Sequence, residues 1–209
     1  LVWANEGLGD VIQFVRYVPQ LATRGANVIL AVPHPLCGLL SRVKGVAQCL
    51  PTSSPAWPES DFHVPLSSLP LAFGTRLDSI PAEPYLPAPA AERIAAWDAR
   101  LGRHDRMRIG LVWSGNVNHN NDRNRSMPLR LLAPLLALDA RFVSLQKDPR
   151  PDDAVVLREQ PGILDLTAGL ADFTDTAALI ASLDLVIAVD TSVAHLVEAL
   201  GCGTWIMRP

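Results

Sequence analysis

The stretch that most narrows what this chain can fold into is LDLVIAVDTSVAHLVEALGCGTW, residues 183–205. Residues 185–189 are an unbroken apolar run rich in β-branched side chains, the pattern of a strand buried on both faces of a parallel sheet. The polar turn Asp190-Thr191-Ser192 follows. Val193, Leu196, Val197 and Leu200 then recur at helical spacing, and Gly201 stands where a helix C-cap belongs. The turn therefore lies at a strand's carboxyl end and at a helix N-terminus. Open α/β sheets bind ligands at strand carboxyl ends, and the unpaired N–H groups of a helix N-terminus favour phosphate. Two readings stay open at this point: an anion site, or a helix that Asp190 or Thr191 merely caps.

The same alternation of strand and helix runs through the rest of the chain. Residues 1–4 read as a short strand, 5–10 as a glycine-rich turn, and Val11, Phe14, Val15, Val18 and Leu21 as a helix that Pro19 kinks or restarts. Strands at 28–32 and 46–50, with a helix at 35–42 between them, complete a parallel βαβαβ unit. Residues 62–69 read as one more extended segment. The proline-rich segment 81–90 is poorly suited to helix or central strand, so it marks a linker between a first lobe, 1–80, and a second, 91–209. In the second lobe the pattern predicts helices at 91–101, 129–138, 151–159 and 174–183. Strands are predicted at 109–113, 141–146, 163–166, 185–189 and 204–207. Two α/β lobes joined in this way imply a cleft between them, a common place for a ligand. Both ends of the sequence read as cut from a longer protein, with residues 204–207 left as a strand that nothing further covers.

Composition narrows the function classes. Hydrophobic residues are 49% and charged residues 19%, which suits a globular chain. The net charge of −3 supplies no global basic field, so nucleic acid is not an expected partner. Cys37, Cys49 and Cys202 are too widely spaced for a zinc site or a disulfide framework, which fits a reducing, cytoplasmic setting. No apolar run reaches the length of a membrane span. His34, His63 and His104 are scattered and show no metal-ligand spacing, so no metal site is expected. Trp3, Trp113 and Trp205 lie on or beside the predicted strands and read as core.

Three stretches carry chemistry. EGLGD at 6–10 follows a strand and opens a helix, but Ile12 breaks the dinucleotide fingerprint and no P-loop lysine follows. What remains is Asp10, a carboxylate near a helix N-terminus, kept ionised there and able to act as a general base. Gly7 and Gly9 permit close approach of a ligand or of another backbone. The plainer reading makes Asp10 a helix cap. The second stretch, NVNHNNDRNR at 116–125, is a polar loop after a buried strand. Asn116 opens it, and the guanidinium of Arg125 can grip two phosphate oxygens at once. A solvated loop is the competing reading. In the third stretch, His195 sits near the start of the last helix, on the side of Ser192, where it can donate to a phosphate or ribose. A Ser192/His195 hydrolase pair does not fit, because no G-x-S-x-G elbow is present.

These segments together resemble the ADP-heptose:lipopolysaccharide heptosyltransferases, glycosyltransferase family nine. EGLGD at 6–10 is similar to that family's first turn, and VWSGN at 112–116 to the opening strand of its second domain. RSMP at 125–128 resembles its K-x-x-P segment with Arg125 in place of Lys, and VDTSVAH at 189–195 its D-T-G-x-x-H turn with Ser192 in place of Gly. NDRNRS at 121–126 and the segment 171–177 are closest in style to members fused to tetratricopeptide repeats in bacteria.

The resemblance implies a GT-B fold of two Rossmann-like lobes with the active site between them. It also implies inverting transfer from a nucleotide diphosphate sugar, with no metal and no other cofactor. Asp10 is then the catalytic base. Asn116, Arg125, Asp190, Thr191, Ser192, Val193 and His195 bind the donor, and Gly7 and Gly9 form the phosphate or acceptor loop. The acceptor would be a glycan, a lipid-linked molecule or a protein. The family's final helix has no counterpart in this sequence. Two other readings compete: a non-catalytic nucleotide- or glycan-binding module of the same fold, and, further off, another Rossmann-type nucleotide enzyme such as a methyltransferase.

Overall fold

A computed structural model describes residues 1–208. Residue 209, the last of the expected second lobe, lies outside the described residues. In the first lobe, β1 (Val2–Trp3) leads into α1 (Leu8–Phe14), a 3-10 turn (Val15–Tyr17) and α2 (Val18–Thr23). β2 (Val28–Val32), α3 (His34–Leu40) and β3 (Val46–Pro51) follow, then β4 (Val64–Pro65) and the short α4 (Leu69–Ala72). The helix expected to span Val11 to Leu21 is thus interrupted. Pro19 sits in the first turn of α2, where its missing N–H is harmless. The extended segment expected at 62–69 is strand only at Val64 and Pro65, before a 3-10 turn at Leu66–Ser68. Pro65 and Pro70 remove donors that a longer strand needs.

Past the proline-rich segment come α5 (Ala91–Leu101), β5 (Met107–Val112), β6 (Ala140–Ser144), α6 (Pro151–Glu159) and β7 (Ile163–Asp165). α7 (Phe173–Ile180), β8 (Leu185–Val189), α8 (Ser192–Ala199) and β9 (Thr204–Met207) complete the chain. The helix expected at 129–138 is instead a 3-10 segment, Leu129–Ala137. Pro134 inside it cannot donate the bond that an α-helix requires. The helix expected at 174–183 ends at Ile180, and its start is fixed by Asp172, whose carboxylate accepts from the N–H groups of Thr174 and Asp175.

Both sheets are parallel, ordered β3-β2-β1-β4 and β7-β6-β5-β8-β9. In each, the chain runs outward from its first strand and then returns to that strand's other side. Each sheet therefore has a switch point, beside β1 in the first and between β5 and β8 in the second. The pleat of β5 serves two cores. Ile109 and Leu111 face an outer cluster with Leu129, Phe142 and Leu157, whereas Val112 faces a cluster that continues into the first lobe. Trp113 is buried in the outer cluster, as expected, and Trp3 is half-buried. Trp205 departs from expectation: β9 is an edge strand, and Trp205 is 65% exposed.

The cluster shared by the lobes forms where α1 packs along α8 and α3 along α7. Val11, Ile12, Leu196 and Val197 are fully buried there, each contributing about 1.5–3 kcal/mol. Two glycines set how close these helices come. A Cβ on Gly9 would lie 2.8 Å from the His195 ring, and a Cβ on Gly38 2.9 Å from Thr174 Oγ1. A buried cation ties the seam to the proline-rich segment. Arg16, only 9% exposed, donates to Gln13 O (2.8 Å), Pro81 O (3.2 Å) and Tyr85 Oη (3.3 Å), and its guanidinium lies 4.8 Å from the Tyr85 ring centre. Burial pushes the Tyr85 phenol above its usual pKa, with Arg16 opposing that rise. The backbone N–H groups of Tyr85 and Leu86 both donate to Ala199 O, at the end of α8.

If this close approach holds the lobes together, overpacking it is costly. Gly38→Val is expected to lower stability in urea by about 1–3 kcal/mol. Gly162→Ala, where a Cβ meets nothing within 4 Å, serves as the control and should stay within about 0.5 kcal/mol of the wild type. Equal stabilities of the two variants would contradict the packing argument.

Candidate functional site

The carboxyl end of β5 is held in place by two buried side chains. Gln146 Oε1 accepts from the backbone N–H groups of Trp113 (3.3 Å) and Ser114 (3.0 Å). Asp153 accepts from Trp113 Nε1 (3.1 Å) and from the N–H of Leu129 (2.8 Å). The strand end is therefore rigid, and Ser114 emerges from it with its Oγ buried and unpartnered by protein.

The loop after β5 is organised by a chain of hydrogen bonds. Gly115 N donates to Ser126 Oγ (2.9 Å), and Ser126 Oγ donates to Asp122 Oδ1 (2.6 Å). Asp122 also pairs with Arg150. Arg125 follows a 3-10 turn closed by its own N–H on Asp122 O (3.1 Å). Its half-buried guanidinium lies flat against Gly115, where a Cβ would meet it at 2.8–3.2 Å. Arg125 Nε is buried and has no protein partner. Arg123, two residues earlier, is exposed. Asn116 is exposed, and its Oδ1 accepts from Asn118 N (3.0 Å), so that oxygen closes the loop's own turn.

Across the switch point, Thr191 occupies the N-cap position of α8 with extended backbone, φ −146° and ψ 170°. Its side chain makes no capping bond, and Oγ1 is buried without a partner although the residue is only 9% exposed. The first-turn N–H groups of the helix, beginning with the half-buried Ser192 and Val193, have no intrahelical acceptors. Asp190 is exposed, and its carboxylate lies 3.8 Å from His195 Nε2. The helix dipole, the unpartnered hydroxyl and the Arg125 guanidinium at the end of the neighbouring strand make this end of the sheet receptive to an anion.

In the first lobe, Gly7 occupies the N-cap of α1, and Asp10 is an exposed residue of the first turn. Asp10 therefore does not cap the helix. Gly9 sits against both His195 and Ser192, so the first turns of α1 and α8 meet. The residues near this meeting point are thus Gly7, Gly9, Asp10, Thr191, Ser192, Val193 and His195, with Asp190 at its edge.

Two residues here were not singled out from the sequence. Ser114 entered the sequence reading only within VWSGN and Glu6 only within EGLGD; Glu6 Oε2 accepts from Asn5 N (3.0 Å) while its Oε1 is buried and unpartnered. The available signal was position: both follow a strand's carboxyl end. Among the described residues no group of three or more His, Cys, Asp or Glu side chains is placed to hold a metal ion. Among the same described residues no helix is long and apolar enough to cross a membrane. A cavity of about 400 Å³ lies away from the Thr191 turn, on the outer face of α1.

A buried hydroxyl without a partner is a cost to the unliganded protein, about 1–3 kcal/mol. Thr191→Val keeps the shape and removes the hydroxyl, so its melting temperature should equal or exceed that of the wild type. A clear drop in a calorimetric melt would show that Oγ1 has a structural partner after all.

No family model matches the chain. It is 24% identical over 228 aligned residues to Protein FlbA of Caulobacter vibrioides, an alignment that covers 96% of the chain and 38% of that protein. The chain therefore spans well under half the length of this relative. Among solved structures, the fold matches E. coli ADP-heptose lps heptosyltransferase II with a TM-score of 0.63 at 13% identity, over 99% of this chain and 84% of that one. E. coli heptosyltransferase WaaC with ADP-2-deoxy-2-fluoro heptose matches with a TM-score of 0.60 at 12% identity, over 98% and 87%. The glycosyl transferase family 9 structure from Veillonella parvula matches at 0.63 and 11% identity, over 98% and 79%. The chain thus has the two-lobed GT-B-like fold of these glycosyltransferases.

Proposed function

We propose that the chain is the glycosyltransferase part of a larger protein, moving a sugar from a nucleotide diphosphate sugar to an acceptor hydroxyl with inversion and without a metal. One observation carries this reading. The α8 N-terminus, with its unpartnered Thr191 hydroxyl, lies at a switch point and meets the turn that bears Asp10. The likeness in fold to heptosyltransferases, one of which, E. coli WaaC, is solved both with ADP and with ADP-2-deoxy-2-fluoro heptose, supports the choice of donor class.

In this mechanism Asp10 accepts the proton of the acceptor hydroxyl as its oxygen attacks the anomeric carbon. The bond from that carbon to the diphosphate oxygen breaks on the opposite face, and the nucleoside diphosphate leaves as an anion. Positive charge comes from Arg125, from the first-turn N–H groups of α8 and from a donating Thr191 hydroxyl, groups already fixed in place before reaction. His195, packed against Gly9 and beside Asp190, donates to the same phosphates in this proposal. Ser192 and Val193 contribute their backbone N–H groups, and Asn116 lines the outer part of the donor site. A side chain on Gly7 would crowd Asp10 Oδ2 (3.3 Å) and one on Gly9 would meet His195, so the two glycines keep the turn open around the base and the histidine. A tetratricopeptide-repeat region elsewhere in the full-length protein belongs to the same proposal.

Arg125 offers the sharpest test because Arg123 is an internal control. ADP, UDP and GDP are to be screened by thermal shift. A diphosphate at ~100 times its dissociation constant should stabilise the protein by about 2.7 kcal/mol. Arg125→Ala should weaken that diphosphate by about tenfold or more and Arg125→Lys by less, since charge remains but the fork is lost. Arg123→Ala should leave it unchanged. No shift with any of the three, or equal effects at 123 and 125, would sink the donor-site assignment.

A further inference from the structure

Gly115 stands between the buried Ser114 and the exposed Asn116, where the chain leaves the β5 strand end for the polar loop. Its backbone does not call for glycine. The glycines with positive φ are Gly25, Gly45, Gly74, Gly102 and Gly201, so an alanine can adopt the conformation at 115. What calls for glycine here is space. A Cβ would lie 2.8 Å from Arg125 Nη2, 3.0 Å from Nε and 3.2 Å from Cζ. The Nε–Cζ–Nη2 side of the guanidinium therefore rests where a side chain at 115 would stand.

The two residues are fastened as neighbours by bonds that do not involve the guanidinium. Gly115 N donates to Ser126 Oγ (2.9 Å), in the residue after Arg125, and Arg125 N donates to Asp122 O (3.1 Å). Ser126 Oγ donates in turn to Asp122 Oδ1 (2.6 Å), and Arg150 holds Asp122 from the other side. A methyl group at 115 would thus be met by the flexible end of Arg125 moving away, not by a shift of the loop.

This seating selects which edge of the guanidinium faces outward. An arginine can grip two oxygens side-on, through Nε and Nη2, or end-on, through Nη1 and Nη2. Of the three nitrogens Nε alone is buried without a partner. The side-on edge is thus closed against the strand end, and the end-on edge is left for a ligand. We propose that Gly115 is a positioning residue of the donor site: the space left by its missing side chain seats Arg125 with Nε inward, so that a phosphate is gripped end-on through Nη1 and Nη2. The inference rests on the reading of Arg125 as a phosphate ligand and adds how that ligand is aimed.

The first measurement needs no nucleotide. In a proton–nitrogen correlation spectrum of the arginine side chains, Arg125→Lys identifies the Arg125 Nε–H signal by its loss. Gly115→Ala should move that signal and speed its exchange with water by about tenfold or more, because the buried Nε–H becomes exposed. The melting temperature should stay within about 2 °C of the wild type, since the crowded atoms belong to a flexible side chain. The second measurement is ADP binding by calorimetry. Gly115→Ala should weaken ADP by about fivefold or more, but by less than about twofold when Arg125→Ala is already present, because the glycine acts through the arginine. An Arg125 Nε–H signal and exchange rate unchanged by Gly115→Ala would overturn the proposal whether or not ADP binds. An equal loss of ADP affinity with and without Arg125 would overturn it as well. Faster exchange in Gly115→Ala, with no ADP binding to the wild type, would remove the donor assignment and leave Gly115 as the residue that seats Arg125.

Discussion

The close packing of α1 on α8 is the contact on which the rest of the structure depends. Together with α3 on α7 it joins two separate parallel sheets, and it brings their carboxyl ends together. Gly9 makes it possible, since any side chain there would meet His195. Arg16 secures it from the flank by joining the end of α1 to the segment at Pro81 and Tyr85, while Tyr85 and Leu86 bond back to the last carbonyl of α8. The buried cation is compensated by carbonyl and phenol oxygens; its nearest carboxylate, Glu198, is 3.7 Å away and 60% exposed. A pair of that kind adds little by itself, so the seam rests mainly on apolar burial and on carbonyl acceptors.

With the lobes fixed in this way, four buried polar atoms without protein partners lie at the strand carboxyl ends. Thr191 Oγ1, Ser114 Oγ and Arg125 Nε belong to the second lobe's switch point, and Glu6 Oε1 to the first. Buried polar atoms usually find partners, and the exceptions ask for a reason. Around these atoms the carboxylate and amide supports are satisfied: Gln146 holds two backbone donors, Asp153 two more, and Asp122 links Ser126 to Arg150. Satisfied supports around unsatisfied tips are the arrangement expected of a site prepared for a ligand. In the free protein that preparation costs stability.

How much of this was legible in the sequence depended on whether the deciding interaction was local. The runs at 28–32 and 185–189 read correctly as strands because both faces of a parallel strand are apolar, and α5 as a helix because its apolar residues recur at helical spacing. Pro134 was visible, yet its effect on hydrogen bonding was not weighed, and a 3-10 segment stands where a helix was expected. Trp205 was misjudged because an aromatic residue on a strand says nothing about whether that strand is an edge. The turn at 190–192 was legible as a strand end before a helix. The roles of Glu6 and Ser114 were not, since a missing partner is a property of three-dimensional packing. The supports were hidden for the same reason: Gln146 lies 32 residues from Ser114, and Arg150 lies 28 from Asp122.

The claim at the centre of this account is that Asp10, held at the meeting of the two turns, removes the acceptor proton. The measurement that bears on it most directly is sugar transfer by Asp10→Asn beside the wild type, with donor binding measured in parallel. Asparagine keeps the size of the side chain, and Asp10 caps nothing, so the fold should be unaffected. The account predicts a fall in kcat of ~10²-fold or more with donor affinity nearly unchanged. Transfer at the wild-type rate by Asp10→Asn would contradict it.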